Sequence, residues 1–432
     1  MSAQRRGPAA VAAMRLGCTE GQLYTMVVGL VIALLLAVPG IPAVLRDRPL
    51  AGLQPLAVRP SAGEPSAATP PTSVVPPQIA VRGKQPVALP RPSADSGSSP
   101  VAPPTAGSPR KPSSAGTVGV FARVDQPGAP GGLAVGRDGT VFVTTDNGTE
   151  RGGRGPSRIF AYDAAGTETG DQAITDQSDD RDGGLSGVAV DPTGRALAVL
   201  DADGRRVLRV DMASGVQSVL TEIPDLPACL PFTGTACQQG VTDRRPSAVS
   251  AAYDGAGNLF FTDPAQDTIW RLTPGASAPD AWYQSPDLSA GDGPFGLNLR
   301  AATVTFTVGA SNDVATLGAG AVYRVRVGGD GSPGDRSLVH AFGRGDRPGS
   351  LAVAKSGTIH VVLRGTGTIV TLASDGSERG RLDPPGTGPI PLDSPSAIVL
   401  VEGALLVANG WDSDDPDRWA VLTVPVDDPK ET

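Results

Sequence analysis

Few residues in this chain have side chains suited to catalysis. It contains 2 histidines. A Ser-His-Asp relay or a histidine-held metal would therefore have to use His340 or His360. Each sits in an apolar alternation, Leu338-Val339-His340-Ala341 and Thr358-Ile359-His360-Val361, which reads first as a strand. Oxygen ligands are the other option. Asp146, Asp201, Asp263 and Asn409 each end an apolar run and open a turn. Such oxygens can hold a hard cation, and they equally cap turns through side-chain to backbone hydrogen bonds, which is the reading taken here. The acidic stretches Asp176–Asp182 and Asp412–Asp417 lack EF-hand spacing and read as solvated insertions. Asn147-Gly148-Thr149 matches a glycosylation sequon. Cys229 and Cys237 share one Pro-rich loop with no basic residue beside either. That argues against redox catalysis, and outside the cytoplasm it predicts a structural disulfide.

The elements that position these groups come from a repeat. Six cassettes open with a Pro-x-Gly or Pro-x-Ala step or a variant of it. They begin at Pro130-Gly131-Gly132, Leu185-Ser186-Gly187, Pro246-Ser247-Ala248, Pro294-Phe295-Gly296, Pro348-Gly349-Ser350 and Pro395-Ser396-Ala397. Starts lie roughly 47 to 61 residues apart, a period that suits one four-stranded propeller blade with loop insertions. In the third cassette the strands are expected over Ser247–Tyr253, Asn258–Thr262, Thr268–Leu272 and through Ala281-Trp282-Tyr283, separated by Asp/Gly turns. The last cassette runs out after three strands, ending at Val421–Val426. A spare strand at Thr117–Val124 precedes the first. Placing it as the outer strand of the last blade closes a ring and protects an edge. The fold class predicted is all-β, a six-bladed β-propeller, preceded by one transmembrane helix and a disordered Pro-rich linker.

Residues 1–22 read as a cytoplasmic tail. Leu23–Leu45 carries no charge, and at about 1.5 Å per residue it reaches roughly 34 Å, enough to cross a bilayer's hydrocarbon core. Arg5, Arg6 and Arg15 precede it, which favours an uncleaved signal anchor with the C-terminal side outside, the rival reading being a signal peptide cleaved near Val38-Pro39-Gly40. Residues 46–115 are rich in Pro, Ala and Ser and read as an extended spacer. The propeller is expected over 116–427, with a tail at 428–432. The first 115 residues hold 11 Lys+Arg and 4 Asp+Glu, and the rest hold 25 and 40. So acidic a domain repels nucleic acid. The expected partners are the membrane, through the N-terminal helix, and a cell-wall or small-molecule ligand.

From Leu226 to Phe295 the chain resembles the senescence-marker-protein, gluconolactonase and luciferin-regenerating-enzyme-like family. The residues that carry this are Ile223-Pro224-Asp225-Leu226-Pro227, Arg244-Arg245-Pro246-Ser247-Ala248, Gly257–Asp263, Thr268-Ile269-Trp270-Arg271-Leu272 and Gly293-Pro294-Phe295-Gly296. Asp201–Val210 and Asp263–Leu272 also resemble NHL repeats. The resemblance implies a six-bladed propeller whose active members hold a divalent cation in the channel and hydrolyse lactones or esters. It also implies that the ligands are oxygens from the middle residue of each step, often Asn or Asp. Here those residues are Gly131, Ser186, Ser247, Phe295, Gly349 and Ser396, and none is a carboxylate or amide.

The first reading of function is therefore a membrane-anchored extracytoplasmic propeller that binds a small ligand or protein partner without that metal, and no cofactor is predicted. Ser186, Ser247, Phe295, Ser396, Arg364, Asn409 and Trp411 are its candidates for the channel mouth. The alternative is a metal-dependent lactonase or esterase with relocated ligands, for which Asp146, Asp201 and Asp263 are the candidates and calcium the expected ion. A smaller third possibility is a metal-free catalytic propeller, as in strictosidine-synthase-like relatives, using Asp182 or Asp292 as general base.

Overall fold

The structure, a computed structural model, describes residues 118–125, 127–146, 156–177, 184–229, 237, 244–288, 293–310, 316, 318–382, 388–413 and 415–426. The expected membrane segment and linker lie outside these residues, as do Asn147, Asp182 and Asp292.

The described residues form 24 strands in six four-stranded sheets. A first strand, β1 (Gly119–Arg123), is set apart from the sheet that follows it. The first blade is β2 (Pro130–Val135), β3 (Val141–Thr145), β4 (Arg158–Tyr162) and β5 (Glu168–Ala173). The second is β6 (Leu185–Val190), β7 (Ala196–Asp201), β8 (Arg206–Asp211) and β9 (Gln217–Glu222). The third is β10 (Ala251–Tyr253), β11 (Leu259–Asp263), β12 (Thr268–Leu272) and β13 (Asp280–Gln284). The fourth is β14 (Pro294–Arg300), β15 (Thr303–Val308), β16 (Ala321–Val327) and β17 (Pro333–Ala341). The fifth is β18 (Pro348–Val353), β19 (Ile359–Leu363), β20 (Thr368–Leu372) and β21 (Glu378–Leu382). The sixth holds β22 (Ala397–Val401), β23 (Ala404–Asn409) and β24 (Ala420–Pro425).

Each of the first five blades is a simple antiparallel meander. The sixth has the order β1-β24-β23-β22, with Gly119 opposite Thr423 and Arg123 opposite Ala420. The N-terminal strand thus closes the ring, as its unclaimed position in the sequence predicts. The innermost strands touch in a full circuit, β2 to β6, β10, β14, β18, β22 and back to β2. This is a six-bladed β-propeller.

The core lies between blades. Phe142 and Ile159 of the first blade pack with Leu197 and Leu208 of the second, and Leu406 and Trp419 of the sixth pack with Val141 and Tyr162 of the first. Second strands are covered on both faces, so they read as unbroken apolar runs such as Val141-Phe142-Val143. The outermost strands are wet, and β21 is exposed almost throughout.

The Pro-x-Gly step has a packing cause. In β2, β6, β14 and β18 the ladder slips between the first residue of the strand and the residues that follow, a bulge that re-aims the inner strand. The glycine is needed because inner strands meet backbone to backbone. A Cβ on Gly187 would sit 2.5 Å from the Val249 carbonyl oxygen, and one on Gly296 would sit 2.3 Å from that of Gly349. The third blade departs from expectation. Its inner strand begins at Ala251, not Ser247. Backbone bonds to the second strand persist upstream of Ala251, from the Val249 amide to the Thr262 carbonyl (3.0 Å) and from the Thr262 amide to the Ser250 carbonyl (2.9 Å), while the Ser247 amide donates to Asp263 Oδ1 (3.1 Å).

Candidate functional site at the channel mouth

Five of the six middle residues, Gly131, Ser186, Ser247, Phe295 and Ser396, line one cavity of about 330 Å³. The loops after β7, β19 and β23 add Asp203, Arg364, Trp411 and Asp412. The sixth middle residue, Gly349, lies beneath Arg364, and a Cβ there would stand 2.7 Å from Arg364 Cγ. Likewise a Cβ on Gly131 would stand 2.9 Å from Trp411 Cζ3. The two glycines are therefore the space into which a long cationic side chain and an indole fold. The Arg364 guanidinium lies 3.7 Å from the centre of the Phe295 ring, a cation–π stack worth about 0.5–2 kcal/mol.

The serines have a structural task as well. Ser186 Oγ donates to the Ala248 carbonyl (2.5 Å) and Ser396 Oγ to the Pro130 carbonyl (2.7 Å). Thr262 Oγ1 donates to the Phe295 carbonyl (2.6 Å) and Thr307 Oγ1 to the Gly349 carbonyl (2.5 Å). All four bonds cross from one blade to the next. With its proton so engaged, a hydroxyl can only accept from a ligand. At Ser186 and Ser396 a bound molecule must therefore supply the donor.

The residues at the ends of the second strands lie apart from this cavity. Asp201 is fully buried, pairs with Arg206 Nε (2.8 Å) and accepts from Gln177 Nε2 (3.1 Å) and the Gly204 amide (3.1 Å). Asn409 accepts from the Asp393 amide (2.7 Å) and donates to the Pro391 (3.3 Å) and Arg418 (3.0 Å) carbonyls. It locks a turn and does not line the mouth. Asp146 is buried, and its amide donates to the Ala129 carbonyl at 3.0 Å. Asp263 accepts from Gln266 Nε2 (2.8 Å), Trp270 Nε1 (3.5 Å) and the Ser247 amide (3.1 Å). Burial raises its pKa, while these bonds and that from the Gln266 amide pull it back.

Sequence reasoning passed over Asp267. It is buried beside Asp263 with φ +53, a left-handed conformation that Asp tolerates. Burial, and to a lesser extent the Asp263 charge, push its pKa up to about 7 against the opposing pull of Arg244. That value would suit a general base, but Asp267 does not line the mouth cavity. The signal available was only the Asp-Pro-Ala-Gln-Asp turn itself.

Neither histidine joins the site. His360 Nδ1 lies 3.0 Å from Thr371 Oγ1 inside the fifth blade, and His340 Nδ1 donates to the Gly376 carbonyl at 2.8 Å. Cys229 and Cys237 form a disulfide, and the Cys237 carbonyl accepts from Gln284 Nε2 at 2.8 Å. Among the described residues no three His, Cys, Asp or Glu side chains converge as metal ligands, and no helix is long and apolar enough to cross a membrane. The mouth's own donor set does not fit a hard cation either. Glycine, serine and phenylalanine stand at the middle positions, and the two carboxylates in the lining, Asp203 and Asp412, share the mouth with the Arg364 guanidinium.

No family profile matches the sequence, and no curated protein matches it. In structure the chain is similar to a gluconolactonase from Xanthomonas campestris, with 18% identity over 70% of this chain and 87% of that one, at a TM-score of 0.47. It is also similar to the calcium-binding protein regucalcin from Agrobacterium tumefaciens, with 15% identity over 71% and 94%, at 0.46. A third similar structure is a luciferin-regenerating enzyme, with 12% identity over 69% and 91%, at 0.47. The chain thus resembles gluconolactonase-like propellers, and at these identities the likeness is one of fold.

Proposed function

We propose that this chain is a membrane-anchored, extracytoplasmic propeller that binds a small ligand at the channel mouth without a metal ion. The observation that carries the reading is the packing of Arg364 and Trp411 at the mouth. Each occupies space that a glycine step leaves open, and Arg364 is stacked on Phe295. A guanidinium held on an aromatic face is pre-organised to receive an acceptor group. The indole offers a flat apolar face, and Ser186 and Ser396 accept from ligand donors. The disulfide agrees with an oxidising compartment, as does the spacer predicted between membrane and propeller.

The test is turnover and binding by the full chain in detergent. A panel of sugar lactones and esters is expected to show no hydrolysis that EDTA abolishes, with or without added calcium or zinc. A screen of small polar ligands is expected to give binders that Arg364→Gln weakens about tenfold or more, the worth of one charged hydrogen bond of about 1.5–3 kcal/mol. Lactone turnover that requires a divalent ion would overturn the reading in favour of the metal-dependent hydrolase.

A further inference from the structure

Beyond the mouth lies a larger cavity of about 500 Å³, running along the innermost strands. It reaches from the steps at Gly131, Ser186 and Ser396 to the opposite ends of those strands. There its lining includes Val135, Val190, Val353 and Leu400, all half-buried and lying at or near the ends of their strands. The charged residues in its lining are Arg300 and Lys355, both exposed, and no acidic side chain lines it. Residues 116–432 carry 40 acidic groups against 25 basic ones, so a lining of one positive sign is not what the surface as a whole would supply.

The local geometry anchors Arg300 beside Lys355. Arg300 ends β14 and leads into the two-residue turn Ala301-Ala302, both with positive φ (46° and 54°). It pairs with Thr303 across that tight hairpin. Arg300 Nη2 donates to the Lys355 carbonyl at 3.4 Å, which joins the fourth and fifth blades at the rim. Asn298, two residues back and so on the same face of β14, lines the same cavity and offers an amide donor. The turns at this end also carry Asp138, Asp191, Asp254 and Glu402; Asp191 accepts from Thr193 Oγ1 (2.8 Å) and the Arg195 amide (2.8 Å), Asp254 from the Asn258 amide (2.8 Å) and Nδ2 (2.6 Å), and Asp138 from the Thr140 amide (3.0 Å). Donors thus gather on the fourth and fifth blades at one end of a cavity whose wall mixes apolar side chains with polar groups. A concave recess concentrates the field of the charges at its rim.

We infer that the end of the channel away from the mouth is a second ligand site, taking a small amphiphilic anion. Its carboxylate or phosphate head sits at Arg300 and Lys355, and its short apolar body lies against the ring that Val135, Val190, Val353 and Leu400 form at the same end. This site is independent of the mouth reading, since it uses neither Arg364 nor Trp411.

The experiment uses the full chain in nanodiscs of neutral lipid, with empty nanodiscs as reference, and isothermal titration with hexanoate, hexyl phosphate and hexylammonium. At least one of the two anions is expected to bind, and which of them does identifies the head group. Hexylammonium is expected not to bind. Arg300→Gln/Lys355→Gln should weaken the anion at least tenfold, Arg300→Lys/Lys355→Arg should retain it, and Arg364→Gln at the other mouth should leave it unchanged. Both pairs are exposed rim residues, and a matching melting curve confirms that the variants are folded. The proposal is overturned if neither anion binds, if hexylammonium binds as well as they do, or if the double glutamine variant binds like wild type. It is equally overturned if Arg364→Gln alone abolishes binding, which would return the ligand to the mouth.

Discussion

Two alanine substitutions at glycines of neighbouring steps should destabilise to different extents. A Cβ on Gly296 would lie 2.3 Å from the Gly349 carbonyl oxygen, 2.8 Å from Ser350 Cα and 3.0 Å from the Leu351 nitrogen. All three are backbone atoms of the next blade's inner strand, so relief requires β14 and β18 to part by several tenths of an ångström or more. That strains a buried seam, an overpacking cost of about 1–3 kcal/mol. It also loosens the bond from Thr307 Oγ1 to the Gly349 carbonyl, worth about 0.5–1.5 kcal/mol. Together about 3 kcal/mol is expected. A Cβ on Gly349 meets Arg364 Cγ at 2.7 Å, Cδ at 2.9 Å and Nε at 3.4 Å, all atoms of one long side chain that can swing away. The loss there is the stack on Phe295, about 1 kcal/mol. With an unfolding entropy of roughly 2 cal/mol/K per residue, the domain should lose about 5 °C in Tm for Gly296→Ala and no more than about 2 °C for Gly349→Ala. Differential scanning calorimetry of the two variants measures both. Equal shifts, or a larger shift for Gly349→Ala, would refute the claim that backbone contact at one step and side-chain accommodation at the other explain the two glycines.

Two further outcomes follow from the same geometry. The folded pKa of Asp267 is raised above its unfolded value, so the ionised form is disfavoured in the native state. The associated stability is full below about pH 4 and is lost as pH rises through about 7, on the order of 2 kcal/mol once partial exposure is allowed for. Asp267→Asn keeps a residue that tolerates positive φ and should flatten this fall. Urea midpoints at pH 5 and pH 8 test it, and an unchanged slope would show that Asp267 titrates normally. The hairpin turn Ala301-Ala302 places two alanines in the left-handed region. Ala301→Asn/Ala302→Gly supplies the residues that a type I′ turn prefers and should stabilise by about 1–2 kcal/mol. A lower Tm would show that the alanines are not strained there.

The ring was legible because its information is periodic. Each cassette repeats an apolar strand, an Asp/Gly turn and a second strand, and the spare N-terminal strand had one place to go. Strand ends shifted by a residue or two, as at Leu259–Asp263 and Gly119–Arg123, and by four at Ala251, upstream of which the Ser247 amide bonds the Asp263 side chain. The mouth was harder to read. Ser186, Ser247, Phe295 and Ser396 could be placed there because they recur at one position of the repeat. Arg364 and Trp411 come from loops far along the chain, and Asp203 and Asp412, which also line the mouth, carried no repeat position to mark them. Asn409 shares its sequence context with the acidic strand ends, and only the structure shows its amide engaged with Asp393, Pro391 and Arg418. Arg300 and Lys355 are ordinary turn residues in sequence, and their significance lies in which cavity they border.

The step therefore serves packing first, and its chemistry depends on what packing leaves room for. At its third residue, Gly187 and Gly296 are fixed by the neighbouring backbone. At its middle residue the constraint is looser, and the chain has used the freedom at Gly131 and Gly349 to admit an indole and a guanidinium. Restoring an oxygen at one position would not restore a cation site. A carboxylate at 349 would stand against the Arg364 side chain and pair with its positive charge. A metal site at this mouth would have to be built around Asp203 and Asp412, with further oxygens and without the Arg364 charge. On the proposed reading, Arg364 receives an acceptor group at a mouth that Asp203 and Asp412 also line.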